Sequence, residues 1–112
     1  MKKIEMIIRP ASLEDVKEAL ATININGISV SQIMGCGRQM GWKEVYRGTT
    51  IELNFLPKVK IELVVKDEDL EKVLETAVGA ARTGEIGDGK VFVYDVADAI
   101  RIRTGERGND AV

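Results

Sequence analysis

A glycine-rich turn contains the residues whose chemistry is easiest to name. Residues 82–90 read Arg-Thr-Gly-Glu-Ile-Gly-Asp-Gly-Lys. Three glycines in such a turn can expose successive backbone N–H groups as an anion-binding nest, and Lys90 adds a point charge suited to phosphate. The plainer interpretation is that the glycines only end a helix and turn the chain, because short glycine motifs have many false positives. The spacing is not that of a Walker A loop, since no Gly-Lys-Ser/Thr follows at the required distance.

Two arginines near the end of the sequence form a second candidate anion site. Arg101 and Arg103 flank Ile102, and alternation along an extended segment would place both guanidinium groups on one face. Two guanidinium forks could then grip one anion. The alternative is a solvated edge strand that carries surface arginines. Both interpretations are open at this point.

Hydrophobic periodicity predicts the elements that must position these segments. Period-2 alternation predicts strands over residues 2–9, 28–34, 58–65 and 90–96. One amphipathic helix is expected over 13–23, with Ser12 as its N-cap. A second is expected to begin at the cap Asp67 and to bury Leu70, Val73, Leu74, Ala77 and Ala81. The order βαββαβ is the split βαβ arrangement of a ferredoxin-like α+β fold in a single domain.

The overall composition excludes several classes of function. Sixteen basic and 18 acidic residues are mixed along the 112-residue chain, which leaves no broad cationic surface for nucleic acid or anionic lipid. Cys36 is the only cysteine and histidine is absent. A Cys/His zinc site cannot form within one chain, so any metal should be a hard, oxygen-liganded ion such as Mg²⁺. No signal-peptide core or membrane-length apolar run interrupts the sequence, so a cytoplasmic location is expected. A domain this short buries a smaller fraction of its surface than a larger one, so association between copies is also expected.

Six groups of short motifs occur in order along the whole chain. They are Lys2-Lys3-Ile4-Glu5 with Ile8-Arg9-Pro10, Gly37-Arg38-Gln39, Tyr46-Arg47-Gly48, Phe55-Leu56-Pro57-Lys58-Val59-Lys60, Ala81-Arg82-Thr83-Gly84 with Gly87-Asp88-Gly89-Lys90, and Ile102-Arg103-Thr104-Gly105-Glu106. Together they resemble the PII nitrogen regulatory signal-transduction family. The resemblance implies a homotrimer with nucleotide sites between subunits. It makes residues 35–57 the long T-loop, 82–90 the B-loop and 97–112 the C-loop.

The resemblance also implies which ligands bind and where. ATP and ADP would compete for the inter-subunit cleft, and 2-oxoglutarate would join only the MgATP state. The implied nucleotide-binding residues are Ser29, Gly35, Gly37, Arg38, Glu62, Val64, Gly87, Asp88, Gly89 and Lys90, with Arg101 and Arg103 from the neighbouring subunit. The implied 2-oxoglutarate-binding residues are Gly37, Gln39, Met40, Gly41, Lys58 and Gly87. Gln39 would help to chelate Mg²⁺ with the phosphates and the ligand, and Lys58 would pair with a carboxylate.

The T-loop is implied to control partner proteins. The candidate contact residues are Trp42, Tyr46, Arg47 and Ile51. Trp42 either anchors a partner surface or packs back onto the trimer. The candidate partners are an ammonium transporter, which would recruit the protein peripherally to the membrane, glutamine synthetase, a transcription regulator, and nitrogenase for a nitrogenase-linked branch of the family. Many bacterial relatives carry a nucleotidylated tyrosine where this chain has Ile51, so uridylylation at that position is excluded.

Two functions outside this family fit the sequence less well. RNA-recognition domains share the predicted order of elements but need aromatic side chains on their central strands, and here Phe92 and Tyr94 lie only in the last strand. A slow ATPase of ferredoxin-like fold is conceivable because nucleotide and Mg²⁺ would be bound, yet no residue is identified as a base for water. The sequence therefore predicts a regulator rather than an enzyme.

Overall fold

The computed structural model describes residues 1–35 and 55–112. The elements are β1 (Lys2–Ile8), α1 (Leu13–Thr22), β2 (Ser29–Gly35), β3 (Leu56–Val65), α2 (Leu70–Ala81) and β4 (Gly89–Asp95). Short 3₁₀ turns occupy Pro10–Ser12, Asp67–Asp69 and Gly108–Ala111. This order confirms the predicted βαββαβ sequence of elements.

The four strands form one antiparallel sheet in the order β2-β3-β1-β4. The central strand β1 pairs with β3 and with β4, so that Ile4 lies between Leu63 and Val93. Both helices pack against the same face of this sheet through one hydrophobic core. The topology is that of the ferredoxin-like fold.

The core lies between that face and the two helices. Ile4, Met6 and Ile8 alternate along β1 and are at most 2% exposed. Val16 and Leu20 of α1 meet them in the same cluster. The other buried core residues, at positions that period-2 and helical spacing predict, are Val59, Ile61, Leu63, Val65, Val73, Ala77 and Ala81. Leu70 and Leu74, which were also expected to be buried, pack against this cluster but are only partly buried. The residues between the buried positions of β1 consequently project away from the helices.

Both predicted helix caps differ from the structure in one respect. Ser12 occupies the N-cap position of α1, but its hydroxyl makes no capping hydrogen bond. The cap of α2 is Asp69 rather than Asp67, which begins a 3₁₀ turn. A capping side chain requires an extended cap residue, whereas Ser12 and Asp69 already have helical backbone angles because a 3₁₀ turn precedes each helix. The Asp67 carboxylate instead accepts a hydrogen bond from the Met1 amino group at 2.8 Å.

Truncation of a core side chain on α1 tests this packing. Leu20 is fully buried, so Leu20→Ala is expected to lower the free energy of unfolding by about 2–5 kcal/mol. Lys17→Ala on the same helix is the control, because it removes only the exposed ion pair with Glu14, worth about 0.5 kcal/mol or less. Urea denaturation at one fixed protein concentration measures both. Similar losses in the two variants would contradict the assigned core.

Candidate functional site

The sheet face opposite α1 and α2 carries several of the predicted site residues. Ser29 lies directly opposite Glu62 in the β2–β3 pairing, so both side chains project from the same face. Val64 lies two residues further along β3 and shares that face. Lys90 lies opposite Ile7, which alternates with the buried positions of β1. We call this surface the open face; it carries Lys3, Glu5, Ile7, Ser29, Lys58, Lys60, Glu62, Val64, Lys90, Phe92 and Tyr94.

Paired charges occupy the middle of the open face. The Lys3 ammonium lies 2.9 Å from the Glu62 carboxylate, and Lys60 lies 3.6 Å from Glu62 and 3.8 Å from Glu5. The Tyr94 hydroxyl donates to Glu5 at 2.9 Å, and this bond raises the pKa of Tyr94. Lys3 holds the pKa of Glu62 below its usual value. Glu62 is therefore an ionised acceptor, suited to a base or a sugar hydroxyl rather than to phosphate.

One carboxylate organises the turn of residues 82–90. Asp88 accepts hydrogen bonds from the backbone amides of Thr83 and Gly84, each at 2.8 Å, and from the Thr83 hydroxyl. The Arg9 guanidinium also approaches it, with 3.4 Å between Nε and Oδ1. The Thr83 hydroxyl above all, and then the amides and Arg9, hold the pKa of the Asp88 carboxyl far below its usual range. The amides of Thr83 and Gly84 therefore already donate to the Asp88 carboxylate. Only the other amides of the turn can form the predicted anion-binding nest.

Glycine is required where this turn joins β4. Gly89 has φ +114°, and a Cβ there would lie 1.8 Å from the Ile7 carbonyl oxygen. Gly87 has φ +98°, and a Cβ there would lie 3.3 Å from Nη2 of Arg9. Both backbone angles favour glycine. The glycines therefore allow β4 to reach the central strand and the Arg9 side chain to lie against the turn.

Arg9 and Lys58 connect the turn to the sheet. Nη2 of Arg9 donates to the Ile86 carbonyl oxygen at 2.6 Å, and the Lys58 ammonium donates to the Gly87 carbonyl oxygen at 3.0 Å. Both side chains line a cleft of about 510 Å³, whose described lining includes no carboxylate. The cleft suits an anion, and Lys58 is one of the residues that line it.

Arg9 is a residue of this site that sequence reasoning missed. The motif Ile8-Arg9-Pro10 contains Arg9, but neither the resemblance nor the spacing assigns it a role. The sequence does contain a signal for its position, because Arg9 continues the alternation of Lys3, Glu5 and Ile7 by one more step. That step points it to the same side of the sheet as Lys58.

A smaller cavity of about 330 Å³ lies at the end of α2. Its lining is mainly apolar and includes Met6, Ile8 and Val78, with Arg82 and Lys90 at its polar part. Met6 and Ile8 belong to the hydrophobic core. We therefore assign the cavity to imperfect packing at the edge of the core, because a polyanion would need polar walls.

The C-terminal segment corrects one prediction. Arg101 and Arg103 do not lie on an extended strand, since residues 102–104 form a turn closed by the pairing of Ile100 with Arg107. The Gly105 amide donates to the Arg101 carbonyl oxygen at 2.7 Å, and Gly105 has φ +77°. The positive φ of glycine reverses the chain here. The two guanidinium groups therefore differ in their surroundings instead of repeating along one face.

The predicted cations also differ in their partners. Nη1 of Arg101 lies 2.8 Å from the Glu106 carboxylate. Lys90 and Arg103 form no ion pair with any acidic residue in the described ranges. Lys90 and Arg103 thus lack an acidic partner within the described ranges, whereas the Arg101 guanidinium pairs with the Glu106 carboxylate through one of its nitrogens.

Many of the expected site residues lie outside the described residues. The ligand and metal predictions there concern Gly37, Arg38, Gln39, Met40 and Gly41, and the partner predictions concern Trp42, Tyr46, Arg47 and Ile51. Gly35, at the end of β2, is described, and a Cβ there would lie 3.1 Å from Lys58 Cγ. Gly35 therefore adjoins the predicted ligand-binding lysine.

Within residues 1–35 and 55–112, no three His, Cys, Asp or Glu side chains converge as a metal-binding cluster. Neither helix of that part combines the length and the apolar character needed to span a bilayer.

The geometry so far defines a class of protein: a ferredoxin-like domain in which the sheet face opposite the two helices forms, at one end, a cationic cleft beside a glycine turn. The family model described as "Nitrogen regulatory protein P-II" matches residues 1–106. The chain belongs to the P-II family of nitrogen regulatory signal-transduction proteins. The names of the relatives describe regulators, in agreement with the prediction that this protein is not an enzyme.

Individual relatives agree over the full length. The chain is 57% identical to "Nitrogen regulatory protein P-II" of Rhodospirillum rubrum and 53% identical to "Nitrogen regulatory protein P-II 1" of Escherichia coli K12, and each match covers both chains completely. Among solved structures, it resembles Arabidopsis thaliana PII bound to citrate, with a TM-score of 0.82 and 44% identity. That match covers 99% of this chain and 91% of the Arabidopsis chain.

Alanine at Gly89 tests the close approach of β4 to β1. Gly89→Ala is expected to cost more than about 3 kcal/mol of stability, because the clash with the Ile7 carbonyl adds to the strain of a positive φ. Gly84→Ala is the matched control, since Gly84 has φ +89° but a Cβ there meets open space. Its expected cost is about 1–2 kcal/mol. Urea denaturation compares them, and equal losses would show that the contact with Ile7 does not constrain the sheet.

The Asp88 network makes the stability of the turn dependent on pH. Because the folded-state pKa of Asp88 is depressed, its carboxylate stabilises the fold above the ordinary aspartate value of about 3.9. This contribution is lost as the pH falls through the depressed folded value. Asp88→Asn is thus expected to be less stable than the wild type at pH 7, and the difference should shrink below about pH 4. Unfolding measured between pH 7 and pH 2 tests this, with Glu85→Gln as the control; a difference independent of pH would contradict it.

Proposed function

We propose that this protein senses nitrogen, carbon and energy status by binding ATP or ADP competitively and, with MgATP, 2-oxoglutarate, and that its T-loop then regulates partner proteins. The observation that carries the proposal is the cationic end of the open face. There Lys58 and Arg9 line a cleft beside the glycine turn, and Lys90 lies opposite Ile7 on the same face of the sheet. Family membership and the citrate named with the Arabidopsis relative support a small anionic effector.

The adenine and ribose are proposed to lie along Ser29, Glu62 and Val64. These residues share the open face with Lys90, so one extended ligand can contact both groups. Glu62 supplies an ionised acceptor, while the phosphates meet Lys90 and the amides of Gly87 and Gly89. The carboxylate of Asp88 faces the turn, so any contact from that residue to a nucleotide comes from its backbone.

A homotrimer is proposed to complete this site. Large apolar side chains remain exposed on one chain, with Tyr94 47% and Ile102 98% exposed. A small domain of this kind gains stability by covering such surface with further copies of itself. The neighbouring subunit would then offer its Arg101 and Arg103 to the phosphates.

Mg²⁺ fits the site only together with anionic ligands. The described lining of the cleft has two cations and no carboxylate, so the protein there repels a free divalent ion. The phosphates and 2-oxoglutarate would supply the oxygen ligands that Mg²⁺ prefers, with the amide oxygen of Gln39. The bound ion would neutralise the phosphates, and Lys58 would hold the remaining carboxylate.

The output is proposed to be non-covalent and cytoplasmic. Ile51 has no hydroxyl, so uridylylation at that position cannot control the protein. The controlling signal is instead the binding of the small-molecule effectors. The proposed targets are an ammonium transporter at the inner membrane face, glutamine synthetase, a transcription regulator or nitrogenase. Trp42, Tyr46 and Arg47 are the proposed contact residues.

Calorimetric titration tests the proposal directly. ATP and ADP are expected to bind and to compete with each other, and 2-oxoglutarate is expected to bind only after MgATP. Binding of 2-oxoglutarate with equal affinity in the absence of nucleotide would overturn the effector assignment. A lack of any nucleotide binding would overturn the proposed function as a whole.

Two substitutions locate the phosphate site. Lys90→Ala and Arg103→Ala are each expected to weaken ATP binding by roughly tenfold to a hundredfold, because each removes a charged hydrogen-bond donor worth about 1.5–3 kcal/mol. Lys17→Ala on α1 removes a cation from the opposite side of the sheet and is the control. Size-exclusion chromatography with light scattering checks that the oligomer is intact. Unchanged ATP affinity in both variants would place the site elsewhere.

A further inference from the structure

The side chain of Arg101 is held by a dedicated arrangement within the C-terminal turn. Its Nη1 donates to Oε1 of Glu106 at 2.8 Å, and the Thr104 hydroxyl donates to the same oxygen at 2.8 Å. The backbone amide of Arg101 also donates to the Glu106 carbonyl oxygen at 2.9 Å. Glu106 is thereby fixed by Thr104 on one side and fixes Arg101 on the other.

A second set of hydrogen bonds, the Asp98 clip, stabilises the same turn without contacting Arg101 or Arg103. The Asp98 carboxylate accepts from Nε of Arg107 at 3.0 Å and from the backbone amide of Ala99 at 2.8 Å. The Gly108 amide donates to the Ala99 carbonyl oxygen at 2.9 Å. The turn is therefore closed at its base by Asp98, and Glu106 is not needed for closure alone.

We infer that Glu106 is a positioning residue that orients the Arg101 guanidinium for the phosphates of the nucleotide. The inference rests on the proposed function, in which Arg101 contacts the nucleotide. Arginine has five N–H donors in a fixed fork, and Glu106 occupies one of them, so the others stay available. An arginine that is already oriented loses less rotamer freedom when an anion binds.

The exposure of the pair supports a role in binding rather than in folding. The Arg101 and Glu106 side chains are 42% and 44% exposed. Exposed ion pairs contribute little to the stability of a fold. The contact between Glu106 and Arg101 should therefore affect ligand affinity rather than stability. Arg103 has no acidic partner in the described ranges, so its contribution to affinity should not depend on a contact of this kind.

Calorimetry with ATP on a set of variants tests the inference. Glu106→Ala is expected to weaken ATP binding about threefold to tenfold, the effect of releasing one long side chain. Glu106→Gln keeps an acceptor oxygen for Arg101 and Thr104 and is expected to restore most of the affinity. Asp98→Ala is the matched control, because it breaks the other clip of the same turn. Its ATP affinity should stay within about twofold of the wild type.

A double variant separates orientation from a general effect on the turn. In an Arg101→Ala background, Glu106→Ala is expected to cause no further loss of affinity, because the side chain it orients is gone. A further loss of the same size, or ATP binding by Glu106→Ala as tight as the wild type or tighter, would overturn the inference. Wild-type protein that bound no nucleotide would overturn the proposed function with it, whereas normal wild-type binding with unweakened Glu106→Ala would overturn this inference alone.

Discussion

The alternation of side chains along β1 is the constraint on which the rest of the structure depends. Because β1 pairs with strands on both sides, its backbone direction and register set the face on which every neighbouring side chain lies. Ile4, Met6 and Ile8 commit one face to the helices. A shift of one residue would bury Lys3 and Glu5 and expose the core. The register of β1 therefore determines which residues lie on the open face and can meet there.

The open face is divided electrostatically by the same register. In its middle, Lys3 and Lys60 lie within 4 Å of the Glu62 or Glu5 carboxylates, so the charges there compensate each other. At the end near the glycine turn, Lys90 has no acidic partner in the described ranges and Arg9 and Lys58 bind mainly carbonyl oxygens. Two unlike charges at 4 Å gain about 1 kcal/mol in water and about 4 at an effective dielectric constant of 20. A polyphosphate gains most at that end, while a neutral base gains more from the paired middle.

Periodicity and turn chemistry predicted most of the fold, because hydrophobic burial acts on spacing that the sequence displays. The strands and the buried stripes of both helices were found in this way. The caps were not, since whether Ser12 caps α1 depends on the 3₁₀ turn before it. The prediction that Arg101 and Arg103 lie along one extended segment was wrong, because Gly105 reverses the chain. The pair Thr104-Gly105 is a turn signal that the sequence displays. Asp88 accepts mainly from Thr83 and Gly84, which are five and four residues away, whereas its contact with Arg9 joins residues 79 apart along the chain and could not be read from the sequence. The T-loop residues that the resemblance assigns to ligands and partners lie outside the described ranges and stay predictions.

The bond between Lys58 and Gly87 links the two halves of the proposed site. Lys58 belongs to β3 and adjoins the end of the T-loop, whereas Gly87 belongs to the turn proposed to hold phosphate, and the ammonium of one donates to the carbonyl of the other at 3.0 Å. A carboxylate that took up this ammonium would release the Gly87 carbonyl, and a phosphate that reoriented Gly87 would release Lys58. Hydrogen bonds to charged groups contribute about 1.5–3 kcal/mol, and coupling energies between sites are typically about 1–3 kcal/mol. Exchange of this one bond is therefore large enough to make the affinity for an acidic effector depend on the bound nucleotide, and reciprocity requires the converse dependence to be equal.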